Sequence, residues 1–110
     1  MSIDWSDFEK IDMRAGTVIS AEKFEKANKP AYILHIDCGE LGIKKSSAQI
    51  TDHYKCEDLI GKQVVAVVNF PPKQIANIQS ECLVLGAVGK GGKVVILQTE
   101  RFVDNGIKIS

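Results

Sequence analysis

With 110 residues, 45% of them hydrophobic and 25% charged, the chain carries enough apolar side chains for one core and is too short for two. Its fourteen basic and fourteen acidic residues cancel, so it lacks the positive balance of proteins that grip nucleic acid mainly through phosphates. No run of about eighteen apolar residues occurs, and "MSIDWSDFEK" has no basic start leading into an apolar stretch. Neither membrane insertion nor a secretory leader is expected, and the cytoplasm is the expected compartment.

The opening "IDWSDFEK" reads as a short amphipathic helix over about 4–11. Asp4 is placed to cap it, Ile3 and Phe8 to staple it, and Ser6 with Glu9 offers a competing capping box. Ile3, Trp5 and Phe8 then need a cover. "MRAGTVISAEKF" is rich in β-branched residues, and Gly16 inside it predicts a bulge or a sharply coiled strand. After the polar turn "KANKP", "AYILHIDCG" alternates. Tyr32, Leu34, Ile36 and Cys38 fall on one side, Ile33, His35 and Asp37 on the other.

"ELGIKKSS" supplies a third strand. "AQITDHYKCEDLIG" places Ile50 and Tyr54 at helical spacing and predicts a short helix and connection ended by Gly61. "KQVVAVVNF" is continuously apolar, the mark of a strand covered on both faces. "ECLVLGAVG", "GKVVILQ" and "RFVDNGIKIS" give further short strands, with "GKGGK" and "DNG" as turns. Short strands with a helix between the third and fourth predict an all-β chain with short helices: a five-stranded OB-type Greek-key barrel. The expected organisation is one domain over 1–110, with a barrel at about 12–90 between the N-terminal helix and a C-terminal strand extension at about 91–110. The extensions are expected to form a partner surface.

Catalytic and metal chemistry find little support. Cys38, Cys56 and Cys82 are odd in number with no close pair, which fits a reducing compartment rather than a disulfide framework. His53 and Cys56 have the spacing H-x-x-C, and a zinc site would need His35, Cys38 or Cys82 to converge on them, but no second close ligand pair exists. Nothing around the cysteines resembles a nucleophile motif, and "GAVGKGG" lacks the residue order of a phosphate-binding loop. No enzyme activity, cofactor or metal is expected.

Two stretches carry the binding chemistry. In "IKKSSAQIT", Lys44, Lys45, Ser46, Ser47 and Gln49 gather donors at a strand end, either as a solvated strand end with Ser46 or Ser47 capping a helix, or as a ligand-facing edge. In "VVNFPPKQIANIQSECLVLG", Pro71 and Pro72 cannot donate ladder bonds, and Pro71 holds Phe70 extended, so the strand must stop near Asn69. Asn69 and Phe70 then stand at the barrel rim, Lys73 in the loop and Ser80 where the chain re-enters the sheet. Charge is uneven too: Asp4, Asp7, Glu9 and Asp12 crowd the start against Lys10, whereas Lys62, Lys73, Lys90 and Lys93 face only Glu81 between Leu59 and Thr99.

"DFEKIDMRAGTVISAEKF", "KKSSAQIT", "GKQVVAVVNFPPKQI", "SECLVLG" and "NGIKI" follow one another with little room for insertion, and together they resemble the CsaA family. These are export-related chaperones built on the tRNA-binding domain also found appended to some aminoacyl-tRNA synthetases. The resemblance implies an OB barrel that forms a homodimer through its terminal extensions. It implies binding of unfolded or pre-secretory polypeptides, with the export motor SecA as a partner and no cofactor or catalysis. Wider relatives bind the outside of the tRNA fold at positions corresponding to Lys44, Asn69, Lys73, Ser80 and Leu83. They usually carry methionine where Leu83 stands, a more basic loop than "PPKQIANIQ", and no "SSAQIT". These departures and the neutral charge favour the chaperone branch over tRNA binding.

Overall fold

A computed structural model describes all residues, Met1–Ser110. Helix α1 (Trp5–Glu9) begins at Asp4, whose backbone N–H donates to Asp7 Oδ2 at 3.1 Å. Asp4 is therefore the cap, and the Ser6/Glu9 alternative is not used. The helix is shorter than expected and leaves Ile3 and Trp5 exposed.

Strands β1 (Met13–Lys23), β2 (Tyr32–Asp37) and β3 (Ile43–Ala48) form a meander. Helix α2 (Cys56–Leu59) leads into β4 (Gln63–Val67), and β5 (Lys73–Ile75) and β6 (Ile78–Ser80) form a hairpin of their own. Then come β7 (Leu83–Val84), β8 (Gly86–Val88), β9 (Val94–Ile96) and β10 (Lys108–Ile109). The main sheet runs β3-β2-β1-β4-β7, with β10 added to the start of β1 and every pair antiparallel. It curls into the nearly closed barrel of an OB fold.

The register explains the burial. On β2, Tyr32, Leu34 and Ile36 point inward as the alternation requires, while every residue of β4 is buried, as its unbroken apolar run predicts. Val18, Leu34, Ile36, Leu59, Val64, Ala66 and Ile96 share one core with Cys38 and Cys82. Gly16 is not the bulge. The register shifts between Val18 and Ser20, and Gly16 instead lets β1 pass close over Ile36 and Cys38, where a side chain would clash. The helix expected around Ile50 and Tyr54 is confined to α2. Ile50 enters the core, and the Tyr54 hydroxyl accepts the Ile96 N–H at 3.1 Å.

After β9 the chain runs back over the barrel as a strap. Gln98 bridges to Val64, Gly106 N–H donates to the Ala15 carbonyl at 2.7 Å, and Ala15 N–H donates to that of Ile107 at 3.1 Å. Gly39 and Gly106, both at positive φ, let the strap backbone press against residues 38–39.

Candidate binding site

The site begins where β4 leaves the sheet. Val67 is its last strand residue, two positions earlier than the prolines alone implied, and Val68 N–H still donates to the Asp12 carbonyl at 2.9 Å, continuing the β1–β4 register by one bond. Pro71 and Pro72 carry the chain outward, and the expected loop is a two-stranded hairpin, with Lys73 opposite Ser80 in its register. Its turn holds Ala76 at φ 48°, a conformation that costs a non-glycine residue energy.

Between this hairpin and the end of β3 lies a cleft of about 370 Å³. Ser47, Phe70, Lys73, Ser80 and Leu83 all line it, joined by Pro71, Ile75 and Cys82. Phe70 and Leu83 are exposed to 56% and 48%, far more than packing residues tolerate, so their apolar surface is open to a ligand. Lys73 is the only charged residue in the wall. A second cleft of about 390 Å³ shares Ser47 and Leu83 with the first and continues along Gln49, Ile50, Val84 and Val88 with no charge at all. The arrangement can take extended apolar groups with a few hydrogen bonds at the rim. A separate cleft of about 420 Å³ under the β1–β2 loop, lined by Lys23, Phe24, Lys29 and Tyr32 among others, shares no residue with these two.

Four of the sequence-chosen residues, Lys44, Lys45, Ser46 and Asn69, line neither cleft. Asn69 Oδ1 accepts the Asp12 N–H at 2.9 Å and its Nδ2 donates to the Lys10 carbonyl at 2.6 Å, tying the end of α1 to the barrel. Ser46 is buried and donates to the Cys82 carbonyl at 3.0 Å. It neither caps a helix nor faces a ligand. Lys44 lies on the same side of β3 as Ser46 and Ala48, with its charge felt by both the Cys38 and Cys82 thiols, so it does not share a face with Lys45 and Ser47. Lys45 faces outward in register with His35, whose Nδ1 lies 2.9 Å from Ser20 Oγ.

These residues also close the barrel. β3 and β7 do not pair. Glu81 N–H donates to the Lys45 carbonyl at 2.7 Å, Lys45 N–H donates to Glu81 Oε1 at 2.9 Å, and Ser47 N–H donates to Ser80 Oγ at 3.2 Å. Side chains thus replace most of the missing ladder. Cys82, at the floor of the cleft, is made inert by its surroundings. Burial pushes its thiol up to about 12, with the Cys38 and Glu81 charges adding to the rise and the Ser46 hydrogen bond and Lys44 opposing it. The chain gathers no group of three His, Cys, Asp or Glu side chains able to hold a metal ion.

The sequence pattern gave Pro71, Ile75 and Cys82 no place in the cleft wall and gave Gln63, which bonds the segment after β9, no tertiary partner. The signal for Ile75 is its place two residues after Lys73 on a strand, which puts both on one face. For Gln63 it is a polar residue at the head of an apolar run, since buried amides need partners.

Residues 13–108 match the family model described as "Putative tRNA binding domain". The chaperone CsaA of Bacillus anthracis superposes with a TM-score of 0.96 at 55% identity over the whole of both chains. The chain belongs to the tRNA-binding-domain family, in its CsaA branch. CsaA from Picrophilus torridus agrees, with a TM-score of 0.92 at 50% identity, covering 99% of this chain and 100% of that one. A MetRS-related protein of Pyrococcus horikoshii has a TM-score of 0.89 at 28% identity, covering 100% and 99%. Curated relatives include the methionine–tRNA ligase of Parabacteroides distasonis, 36% identical over 108 residues. That match takes in 98% of this chain but 16% of the ligase, so the chain spans about a sixth of that relative's length.

Proposed function

We propose that this chain is a CsaA-like molecular chaperone, working as a homodimer linked to protein export, that binds unfolded or pre-secretory polypeptides in the Phe70–Leu83 cleft. The observation that carries this reading is the cleft wall: exposed Phe70 and Leu83 beside Pro71 and Ile75, with one cation, Lys73. Such a wall takes its binding energy from apolar burial, which is indifferent to moderate salt. Ser47 at the rim supplies polar contact for a peptide backbone, and Lys45 stands next along β3. No step requires a cofactor, and a SecA-type motor is the partner that an export role calls for.

The second reading is binding of tRNA by shape, favoured by the kinship with methionine–tRNA ligases. In this reading Lys45 and Lys73 meet phosphates and Phe70 stacks on a base. One titration separates the two: total tRNA against a permanently unfolded polypeptide at two salt concentrations. The chaperone reading expects polypeptide binding that moderate salt leaves within about twofold, and suppression of a client's aggregation at one dimer per client. Aggregation unchanged at that ratio, with tRNA affinity that collapses with salt, would replace it by the tRNA reading.

A further inference from the structure

The sheet order β3-β2-β1-β4-β7 leaves β3 and β7 as its two edge strands, and the curl of the barrel brings those edges together. Bonds from Glu81 and Ser80 close the seam only as far as Ser47, whose N–H donates to Ser80 Oγ. Beyond that point opens the cleft of about 390 Å³, with residues 47–50 on one wall and 83–86 on the other.

The β3 wall carries main-chain groups that the chain itself does not use. Along an edge strand the amide and carbonyl of every second residue point outward, and on β3 these are the odd residues, as the bonds of Lys45 and Ser47 show. Burial continues the alternation past the end of the strand: Ser46, Ala48 and Ile50 are buried, and Gln49 is exposed. The Ser47 carbonyl and the Gln49 N–H and carbonyl therefore follow in the same outward series. None of the three has a partner within the chain.

The rest of the cleft fits an extended backbone and not a polyanion. No charged side chain lines it, and Ile50, Leu83, Val88 and Val94 offer apolar surface beside the open edge. We propose that the client's main chain adds to this edge as a strand. One of its amides donates to the Ser47 carbonyl, one of its carbonyls accepts the Gln49 N–H, and alternate side chains go down among Ile50, Leu83 and Val88. The proposal rests on the chaperone reading and names the form of its substrate: an extended segment with uncharged, apolar residues at every second position. Main-chain bonds are the same for every sequence, which gives breadth, while the uncharged wall rejects segments that turn a charge inward.

Fluorescence anisotropy of the full chain tests it, using a labelled, end-blocked heptapeptide that alternates valine and threonine, and two versions N-methylated at every valine or at every threonine. Alternate amides of a strand point to opposite edges, so one methylated version is expected to bind about tenfold more weakly and the other within about twofold of the unmodified peptide. Gln49→Pro deletes the edge N–H and is expected to weaken the unmodified peptide about tenfold, whereas Gln49→Ala keeps that N–H and the affinity. Should Gln49→Pro fail to fold, hydrogen exchange at the wild-type Gln49 amide, read by NMR, is expected to slow about tenfold or more when the peptide saturates. Two methylated peptides of equal affinity, or Gln49 exchange that the peptide leaves unchanged, overturn the inference. The chaperone reading then still stands if a permanently unfolded polypeptide binds. If neither the peptide nor that polypeptide binds, the chaperone reading falls and takes the inference with it.

Discussion

Ser46 Oγ donates to the carbonyl oxygen of Cys82 at 3.0 Å, both residues being buried, across a seam where the two strand edges share no ladder. A hydroxyl thus does the work of a main-chain pair at the place where the barrel closes. Ser46→Ala leaves that carbonyl without its partner in a dry site, and the expected loss is about 1–3 kcal/mol. Urea unfolding measures it. Ser47→Ala, on the outward side of the same strand, should leave the midpoint nearly unchanged, and equal losses from the two would refute a seam role for Ser46.

The Asn69 amide joins β1's lead-in to the end of α1 through bonds to Asp12 and Lys10. Asn69→Ala is expected to cost about 1 kcal/mol and to speed proteolysis near Lys10, while affinity for an unfolded polypeptide stays within about twofold. A large loss of affinity with unchanged stability would return Asn69 to the ligand surface.

Phe70 and Leu83 contribute little to the core because they are exposed. Phe70→Ser and Leu83→Ser should each weaken binding of a labelled unfolded polypeptide by roughly five- to thirtyfold, the equivalent of about 1–2 kcal/mol of lost apolar burial, with the melting temperature held. Fluorescence anisotropy reads the first and calorimetry the second. Lys73→Glu provides the contrast: a change below about twofold for polypeptide, against a loss of tenfold or more with a shallower salt slope if RNA is the ligand.

Burial holds the Cys82 thiol at about 12, with Cys38 displaced in the same direction mainly by its own burial. A thiol raised in the folded state favours folding while it stays neutral. In the unfolded chain it ionises near its ordinary value of about 8.5, so stability is full below that pH and declines as pH climbs towards 12. The slope contributed by one such group is at most about 1.4 kcal/mol per pH unit. Urea midpoints at pH 7.5 and pH 10 should fall more for the wild type than for Cys82→Ala. Parallel decline would mean that the thiol ionises freely in the native protein. Iodoacetamide should accordingly label half-buried Cys56 before either buried cysteine.

Alternation and apolar runs carried most of the architecture. β2 and β4 behave as their residue patterns require, and the paired prolines mark the exit from β4 to within two residues. The lining of the candidate cleft was half legible for a related reason: Phe70, Lys73, Ser80 and Leu83 lie close in sequence, on either side of one hairpin, and converge locally. The errors have one physical origin. Lys44 differs from Lys45 only in the parity of its strand position. The duties of Asn69 and Ser46 were set by backbone groups more than thirty residues away, at Lys10, Asp12 and Cys82.

Taken alone, then, the chain's order of residues determined a small all-β barrel, its kinship and the neighbourhood of its cleft, because periodicity, proline geometry and charge act over short separations. Only the tertiary structure decided which polar side chains face a ligand and which replace missing ladder bonds. Only it brought Gln63 under the strap. A polar group's role depends on the partner it meets, and that partner is chosen by the packing of segments far apart in the chain.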